Sequence, residues 1–312
     1  YSDIINAIRH RIDRLGHGPP QTQDQLDNLN ENLLPGFSAG VEYDTTIQLS
    51  STKSFTISAR GGLATDLLVA FQDQVANVTQ LPSKSKHGHL VKVINTSSSA
   101  DTYWAEFVAD DGTSGTGHWK ESRDPSVSAG LDAATMPHEL INVEKNRFIF
   151  RQITWTDRLV GDDTTNEHPS FVGKKIKQAF FHKNRLGFLS EDNVSMSRSG
   201  EFYNLYHRSA QTLTAADPVD LSCATIRPAV LHGVLPTPQG LVLFSQNQQF
   251  LMSATEGLLT PTGTSINAIS NYEMATDIAP VDMGTNVNFI SKTPNYSRVY
   301  GMNTRGQEES PT

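Results

Sequence analysis

The chain has 312 residues, with 25 Lys plus Arg against 33 Asp plus Glu, a formal net charge of −8, 37% hydrophobic and 19% charged residues, and one cysteine. A lone Cys223 excludes a disulfide framework, no apolar run reaches the twenty or so residues that span a bilayer, and net acidity opposes a sequence-reading grip on a polyanion while letting one slide past. Ser, Thr, Asn and Gln make up the balance and favour strands and turns over helices, so a β-rich chain of two domains is expected.

A first amphipathic helix is predicted where Ile4, Ile5, Ile8, Ile12 and Leu15 recur at helical spacing between a Ser2 or Asp3 cap and Gly16. Residues 17–35 read as a long polar loop. Val41, Tyr43, Ile47 and Leu49, then Phe55 and Ile57, alternate as strands. Gly61-Gly62 leads into a second predicted helix carrying Leu67, Leu68, Phe71, Val75 and Val78 and closed by Pro82. Strands follow over 90–94, over 102–108 and around His118-Trp119-Lys120. Residues 1–60 thus read as a partial accessory module of helix, polar loop and strands, and 61–135 as an α+β module. With no initiator Met, no targeting signal and a polar stretch over 306–312, the chain reads as an internal piece of something longer.

Composition shifts to Pro, Ser, Gly and Ala over 124–135, and a new strand is predicted from Met136-Pro137-His138-Glu139-Leu140. Beyond it the helical period disappears and one hairpin recurs. Arg185-Leu186-Gly187-Phe188-Leu189-Ser190, a turn at Glu191-Asp192-Asn193 and Val194-Ser195-Met196-Ser197 form the first copy. Leu241-Val242-Leu243-Phe244-Ser245, a turn at Gln246-Asn247-Gln248 and Phe250-Leu251-Met252-Ser253 form the second. A looser third runs from Val287 through Lys292-Thr293-Pro294-Asn295 to Gly301. Flanking strands at 229–235 and 265–270 give the middle copy four strands in a row, the pattern of a propeller blade. A β-sandwich of similar hairpins is the alternative. The expected fold class is therefore β-rich α+β, an N-terminal α+β module followed over 136–312 by incomplete antiparallel propeller-like blades.

Tests for chemistry are mostly negative. His87-Gly88-His89 is the best local metal candidate and reads more simply as solvated imidazoles in a loop. His138-Glu139 opens like a helical zinc-protease signature, but Asn142 stands where the second His is required. Gly112-Thr113-Ser114-Gly115-Thr116-Gly117 misses the nucleophile-elbow spacing and reads as a hairpin loop. Asp162-Asp163 and Glu191-Asp192 offer adjacent carboxylates for glycoside cleavage, a pattern more often found in solvated turns. The basic stretch Lys174-Lys175-Ile176-Lys177 to Arg185 interleaves cations with Phe180-Phe181, and strand alternation is expected to place the Phe residues in a core and the Lys residues in solvent.

A longer set of residues is more specific. Gly161-Asp162-Asp163-Thr164-Thr165-Asn166, Pro169-Ser170-Phe171-Val172-Gly173, Phe180-Phe181, Asn184-Arg185-Leu186-Gly187-Phe188-Leu189-Ser190, Ser197-Arg198 and Asp217-Pro218-Val219-Asp220 occur in an order that resembles the tail nozzle family. These are the tail tubular B proteins of short-tailed bacteriophages, the podoviruses. Val91-Lys92-Val93, Tyr103, Trp119-Lys120-Glu121 and Thr135-Met136-Pro137-His138 fit the same family upstream, so the resemblance runs from about 81 to 302; residues 1–60 match less clearly.

The resemblance implies a non-enzymatic virion component without cofactor or metal. It would form a homo-hexameric ring at the far end of the tail, below an adaptor ring and near tail fibres or spikes, with double-stranded DNA passing through without sequence-specific contact. It implies residence in the virion tail, and in the host cytoplasm during assembly. The residues singled out are structural: Thr135, Met136, Pro137 and His138; Pro169, Ser170, Phe171, Val172 and Gly173; and Asn184, Arg185, Leu186, Gly187 and Phe188, with Trp119 as a further packing anchor. The rival reading is a receptor-binding or glycan-degrading tail propeller. A cellular scaffold propeller ranks last, since three hairpins are too few to close a ring.

Overall fold

The computed structural model describes residues 71–94, 102–225, 228–254, 257–284 and 286–303, together with the backbone of 37–42 and 46–51. The chain divides into two compact units, 1–122 and 123–312. The first predicted helix, the polar loop, Phe55, Ile57 and residues 61–70 lie outside the described residues.

In the first unit, β1 (Phe37–Glu42) and β2 (Thr46–Ser51) pair antiparallel, with Val41 opposite Ile47 and Ala39 opposite Leu49. A five-stranded sheet follows, built from β3 (Gln74–Val75), β4 (Lys84–Lys86), β5 (Leu90–Val93), β6 (Tyr103–Ala109) and β7 (Ser114–Ser122) in the order β3-β5-β6-β7-β4. The three strands predicted over 90–122 are all present. The helix predicted through Phe71, Val75 and Val78 is not: Val75 is buried in β3, parallel to β5 and opposite Val93, and Val78 is exposed in a 3-10 turn, Val78–Gln80. Asn77 caps that turn, its side chain accepting from the Thr79 N–H at 3.0 Å while Gln80 Oε1 accepts from the Asn77 N–H at 3.3 Å. The spacing of the three apolar residues imitates a helix, but β-branched Val75 finds a free edge on β5, and tertiary pairing overrides the local period. Among the described residues, no helix is long and apolar enough to cross a membrane.

The second unit opens with the hairpin β8 (His138–Glu144) and β9 (Arg147–Gln152). Three meanders follow. The first is β10 (Ile176–His182), β11 (Arg185–Ser190), β12 (Asn193–Met196) and β13 (Val219–Ser222). The second is β14 (Leu231–Thr237), β15 (Gly240–Ser245), β16 (Gln249–Ala254) and β17 (Thr264–Ser270). The third is β18 (Val281–Asp282), β19 (Asn286–Lys292) and β20 (Ser297–Asn303). Every pairing within them is antiparallel and between chain neighbours.

The apolar alternation fixes how these sheets stack. Leu189, Val194, Met196 and Val219 of the first sheet meet Leu231, Leu241, Leu243, Phe250 and Met252 of the second in one buried cluster. The other face of the second sheet, through Val242 and Phe244, packs on Val287 and Phe289 of the third. Met136, Ile153, Trp155 and Phe171 cover the other face of the first sheet, against Leu186 and Phe188. A sheet covered on both faces needs no polar side, which is why β11 is buried at every position. Each fully buried aliphatic or aromatic side chain here contributes roughly 1.5–3 kcal/mol. The hairpin repeat is real but not uniform: the β11–β12 turn holds two residues, 191–192, and the β15–β16 turn three, 246–248.

One expectation about β10 fails. Adjacent residues on a strand face opposite ways, so Phe180 joins the core between the first two sheets while Phe181 is 64% exposed, edge-on to Phe202 at 5.2 Å. The described residues thus form a β-rich molecule of several antiparallel sheets.

Candidate functional site

The densest chemistry in the second unit is a group of buried cations around the first sheet. Lys183 and Asn184 both have positive φ, 44° and 59°, and make the two-residue turn between β10 and β11. That geometry matches the twist of the strands and favours Asn. It delivers Arg185 to the first position of β11, where it is 1% exposed. One of its amino groups, Nη1, donates to the carbonyls of Ser197, Ala216 and Asp217 at 2.8, 3.2 and 2.7 Å, and Nη2 to those of Ala215 and Leu259 at 2.7 and 3.0 Å. A planar guanidinium with five donors is the side chain that can close so many carbonyls at once. Three of the five acceptors lie in the 215–217 loop, Ser197 directly follows β12, and Leu259 lies in the connection between β16 and β17, so Arg185 ties the first sheet to the second.

Arg198 sits beside this group, its Nε donating to Asp217 Oδ1 at 3.1 Å and its Nη1 to Glu201 Oε1 at 3.0 Å. Asp217 is fully buried and also accepts from the Thr214 N–H at 2.7 Å. Burial alone would raise its pKa, but the hydrogen bonds from Thr214, then the nearby positive charge of Arg198 and His207, hold it below the ordinary carboxylate range. Burial, then the like charge of Arg198, lowers Arg185, against the opposing pull of Asp217. Arg158 forms a second centre, donating to Asp163 Oδ1 at 2.7 Å, the Asn166 carbonyl at 3.0 Å and the Ser128 carbonyl at 2.7 Å.

The singled-out residues distribute around this frame. Phe171 is 2% exposed and meets Phe188 with ring centroids 5.0 Å apart, while Met136 and Leu186 belong to the same cluster. The Pro169 carbonyl accepts from Val172 N–H, and Gly173 takes a φ of 77°, so 169–173 is a tight turn with Val172 at its exposed side. Ser170 docks that turn on the sheet: its N–H and hydroxyl donate to Asp220 at 2.7 and 2.6 Å, and its oxygen lies 3.0 Å from Ser195 Oγ. Thr135 closes the preceding turn on the Asp132 carbonyl, and Pro137 leads to His138, which opens β8 and stacks on Phe150 at 5.1 Å. Thr135, Pro137 and His138 therefore stand apart from the arginine group. Trp119 belongs to the first unit, donating from Nε1 to the Pro82 carbonyl at 2.8 Å.

Gly187 has a packing reason. A Cβ there would lie 2.3 Å from Phe180 Cζ, so the Phe180 ring occupies the space a side chain would take. Gly187→Ala is expected to displace Phe180 from the inter-sheet core and lower stability by about 1–3 kcal/mol. Urea unfolding checks this, and an unchanged midpoint would show that the ring moves freely.

A cleft of about 430 Å³ lies beside the Ser170 turn, lined among others by Ser170, Ser195, Asp220, His168 and His207. Some of its polar groups are engaged: Asp220 takes both Ser170 donors, and His168 Nδ1 meets the Tyr206 hydroxyl at 2.6 Å, whereas the buried Nδ1 of His207 has no hydrogen-bond partner among the described residues. Three of the four carboxylates considered for glycoside cleavage have partners. Asp162 accepts from the Thr164 and Thr165 N–H groups, Asp163 pairs with Arg158, and Glu191 lies 3.1 Å from Lys174. His87 Nδ1 accepts from the Ala109 N–H, and His89 Nδ1 meets Ser85 Oγ at 2.8 Å; among the described residues no three His, Cys, Asp or Glu groups gather as metal ligands would. Burial, with Asp192 second, pushes the Cys223 thiol up to about 12, far from a reactive thiolate.

Sequence reasoning assigned no role to Arg158, and quoted Arg198 and Asp217 without connecting them to Arg185. One missed signal was readable: Lys145-Asn146-Arg147 before Phe148-Ile149-Phe150 repeats Lys183-Asn184-Arg185 before Leu186-Gly187-Phe188. Both sit at two-residue turns, Glu144 opposite Arg147 and His182 opposite Arg185. The environments differ sharply, since Phe150 is 70% exposed on its hairpin and Phe188 2% in its sheet.

A family model described as bacteriophage nozzle protein matches residues 21–312. Tail tubular protein gp12 of Escherichia phage T7 is 31% identical over 248 residues, 79% of this chain. The matched stretch spans only 30% of that relative's length. The family match runs through both units and includes the arginine group and the three stacked sheets, and on that evidence the chain belongs to the bacteriophage nozzle protein family.

Proposed function

We propose that this chain is a structural, non-catalytic part of a bacteriophage tail, contributing to the nozzle ring through which the genome leaves the virion. The observation that carries the reading is the family match across 21–312. The ring is taken to be a homo-hexamer of the full-length protein, in contact with the tail adaptor and with fibres or spikes, assembled in the host cytoplasm and resident in the virion. Double-stranded DNA passes without a tight grip, in keeping with the net charge of −8, because each phosphate neutralised by Lys or Arg would add a salt-sensitive hold.

The three meanders are read as consecutive propeller blades. Sequential meanders, two of four strands and one of three, whose cores alternate from one neighbour to the next support that reading over two sheets closing on one another. The division into 1–60, 61–135 and 136–312 is kept as the working domain scheme. Light scattering on the full-length protein tests the ring: a mass of six subunits is expected, and a stable monomer at micromolar concentration would overturn it. Particles lacking the protein are expected to have tails without their distal end, and intact tails would overturn the tail role.

A further inference from the structure

The β8–β9 hairpin carries an apolar face turned to solvent. Cross-strand pairing sets Leu140 opposite Phe150 and Asn142 opposite Phe148, so Leu140, Phe148 and Phe150 share one side of the hairpin. They are 65%, 58% and 70% exposed. A two-stranded hairpin is marginal by itself, and three large apolar side chains grouped on one face mark a contact surface. The same motif finds cover elsewhere in the chain. After Lys183-Asn184, Arg185 meets five carbonyls and Phe188 is buried. After Lys145-Asn146, Arg147 pairs at 3.4 Å with Glu144 across its own turn, both side chains largely in solvent, a geometry that contributes little. Lys145 is exposed and has no ion-pair partner among the described residues.

The cleft beside the Ser170 turn has the complementary character. None of the described residues that line it is Lys or Arg, while Glu167 and Asp220 both do. Glu167 is exposed and has no hydrogen-bond or ion-pair partner among the described residues. Asp220 accepts the two Ser170 donors and keeps acceptor capacity, since a carboxylate offers about four lone-pair sites. Leu213, exposed at the rim, with Pro218 and Pro261, supplies apolar walls. The volume of about 430 Å³ lies within the roughly 300–1,000 Å³ of sites that enclose a ligand. We infer that the β8–β9 hairpin of one copy docks in this cleft of a second copy, with Lys145 and Arg147 directed at Glu167 and Asp220 and Phe148 at the apolar walls. The hairpin does not fill the cleft of its own chain, because Arg147 and Phe148 stay exposed there. A second copy is favoured over a different polypeptide because one chain carries both the basic, apolar tip and the acidic cleft. Two unlike surfaces on each subunit make a head-to-tail contact, the kind that closes into rings.

The inference rests on the ring reading above and names one of its subunit contacts. Charge reversal in the full-length protein tests it. Arg147→Glu and Glu167→Lys should each raise the concentration of half-assembly, read by light scattering on dilution, by about tenfold or more, and the combined variant should assemble better than either single one. Both positions are exposed, and far-UV circular dichroism verifies that each variant keeps its strands. Proximity is read separately: subunits carrying Lys145→Cys, mixed with subunits carrying Glu167→Cys, should be joined by a short bismaleimide, and neither variant alone should be. Assembly indifferent to both reversals, a combined variant no better than the singles, or no cross-link between the mixed subunits would each overturn the docking. Reversals that spare self-association but abolish binding of another tail protein would assign the hairpin to that protein and overturn it as well. Mass separates the two claims. A hexamer without the cross-link counts against the docking alone, the cross-link in an assembly of another size counts against the hexamer alone, and a monomer counts against both.

Discussion

Arg185→Ala is expected to destabilise the second unit by about 3–5 kcal/mol, the range for removing one partner from a buried charged network. The figure follows from what the substitution leaves behind. Five carbonyls lose their donor, and the site is 1% exposed, so water cannot replace it without opening the sheet. At about 2–4 °C per kcal/mol for a unit of this size, the thermal midpoint should fall by about 10 °C. Arg185→Lys separates charge from geometry. An ammonium keeps the charge but has three donors for five acceptors, so an intermediate loss is expected. If Lys behaved like Arg, charge alone would be the cause, and if both variants unfolded at the wild-type midpoint, the guanidinium would have no structural weight.

This residue also shows how much of the molecule could be read from its sequence. The three hairpins were legible because period-2 alternation and turn residues are local signals, and the Lys183-Asn184 turn follows from them. The β-rich class was legible for the same reason. What defeated the reading were cases where two periods coincide or a partner comes from far along the chain. Phe71, Val75 and Val78 fit a helix and a strand-turn equally well, and only β5, more than ten residues on, decides between them. Phe180 and Phe181 cannot both face a core, a constraint that strand alternation already contains. The burial of Arg185 was not legible, since its acceptors lie as far away as Leu259 and composition places Arg on the surface by default. Arg147, in the same local motif, is exposed at its hairpin. The motif fixes the turn, and the tertiary neighbours fix what its arginine does.

Asp217 gives the second large effect, and it couples to the first. Asp217→Ala removes the carboxylate facing Arg198 in a fully buried position and leaves two cations, Arg198 and Arg185, without their shared counter-charge, together with an unpaired Thr214 N–H. The expected loss is again about 3–5 kcal/mol. Because both residues belong to one network, the double variant with Arg185→Ala should cost less than the two singles added, since deleting Arg185 already relieves part of the repulsion. Strict additivity would mean that the two side chains act separately. Acid provides an independent check. The Asp217 carboxyl is held below its ordinary range when folded, so the stability it contributes is fully present above the unfolded value of about 3.9 and is lost as pH falls through the lower folded value. Asp217→Asn keeps an acceptor of the same size and cannot titrate. It should be less stable than the parent at neutral pH, and the gap should narrow as pH falls below about 4. A gap of constant size from pH 7 to pH 2 would mean that the carboxylate charge contributes nothing, and that Asp217 holds the loop through its hydrogen bond to Thr214 alone.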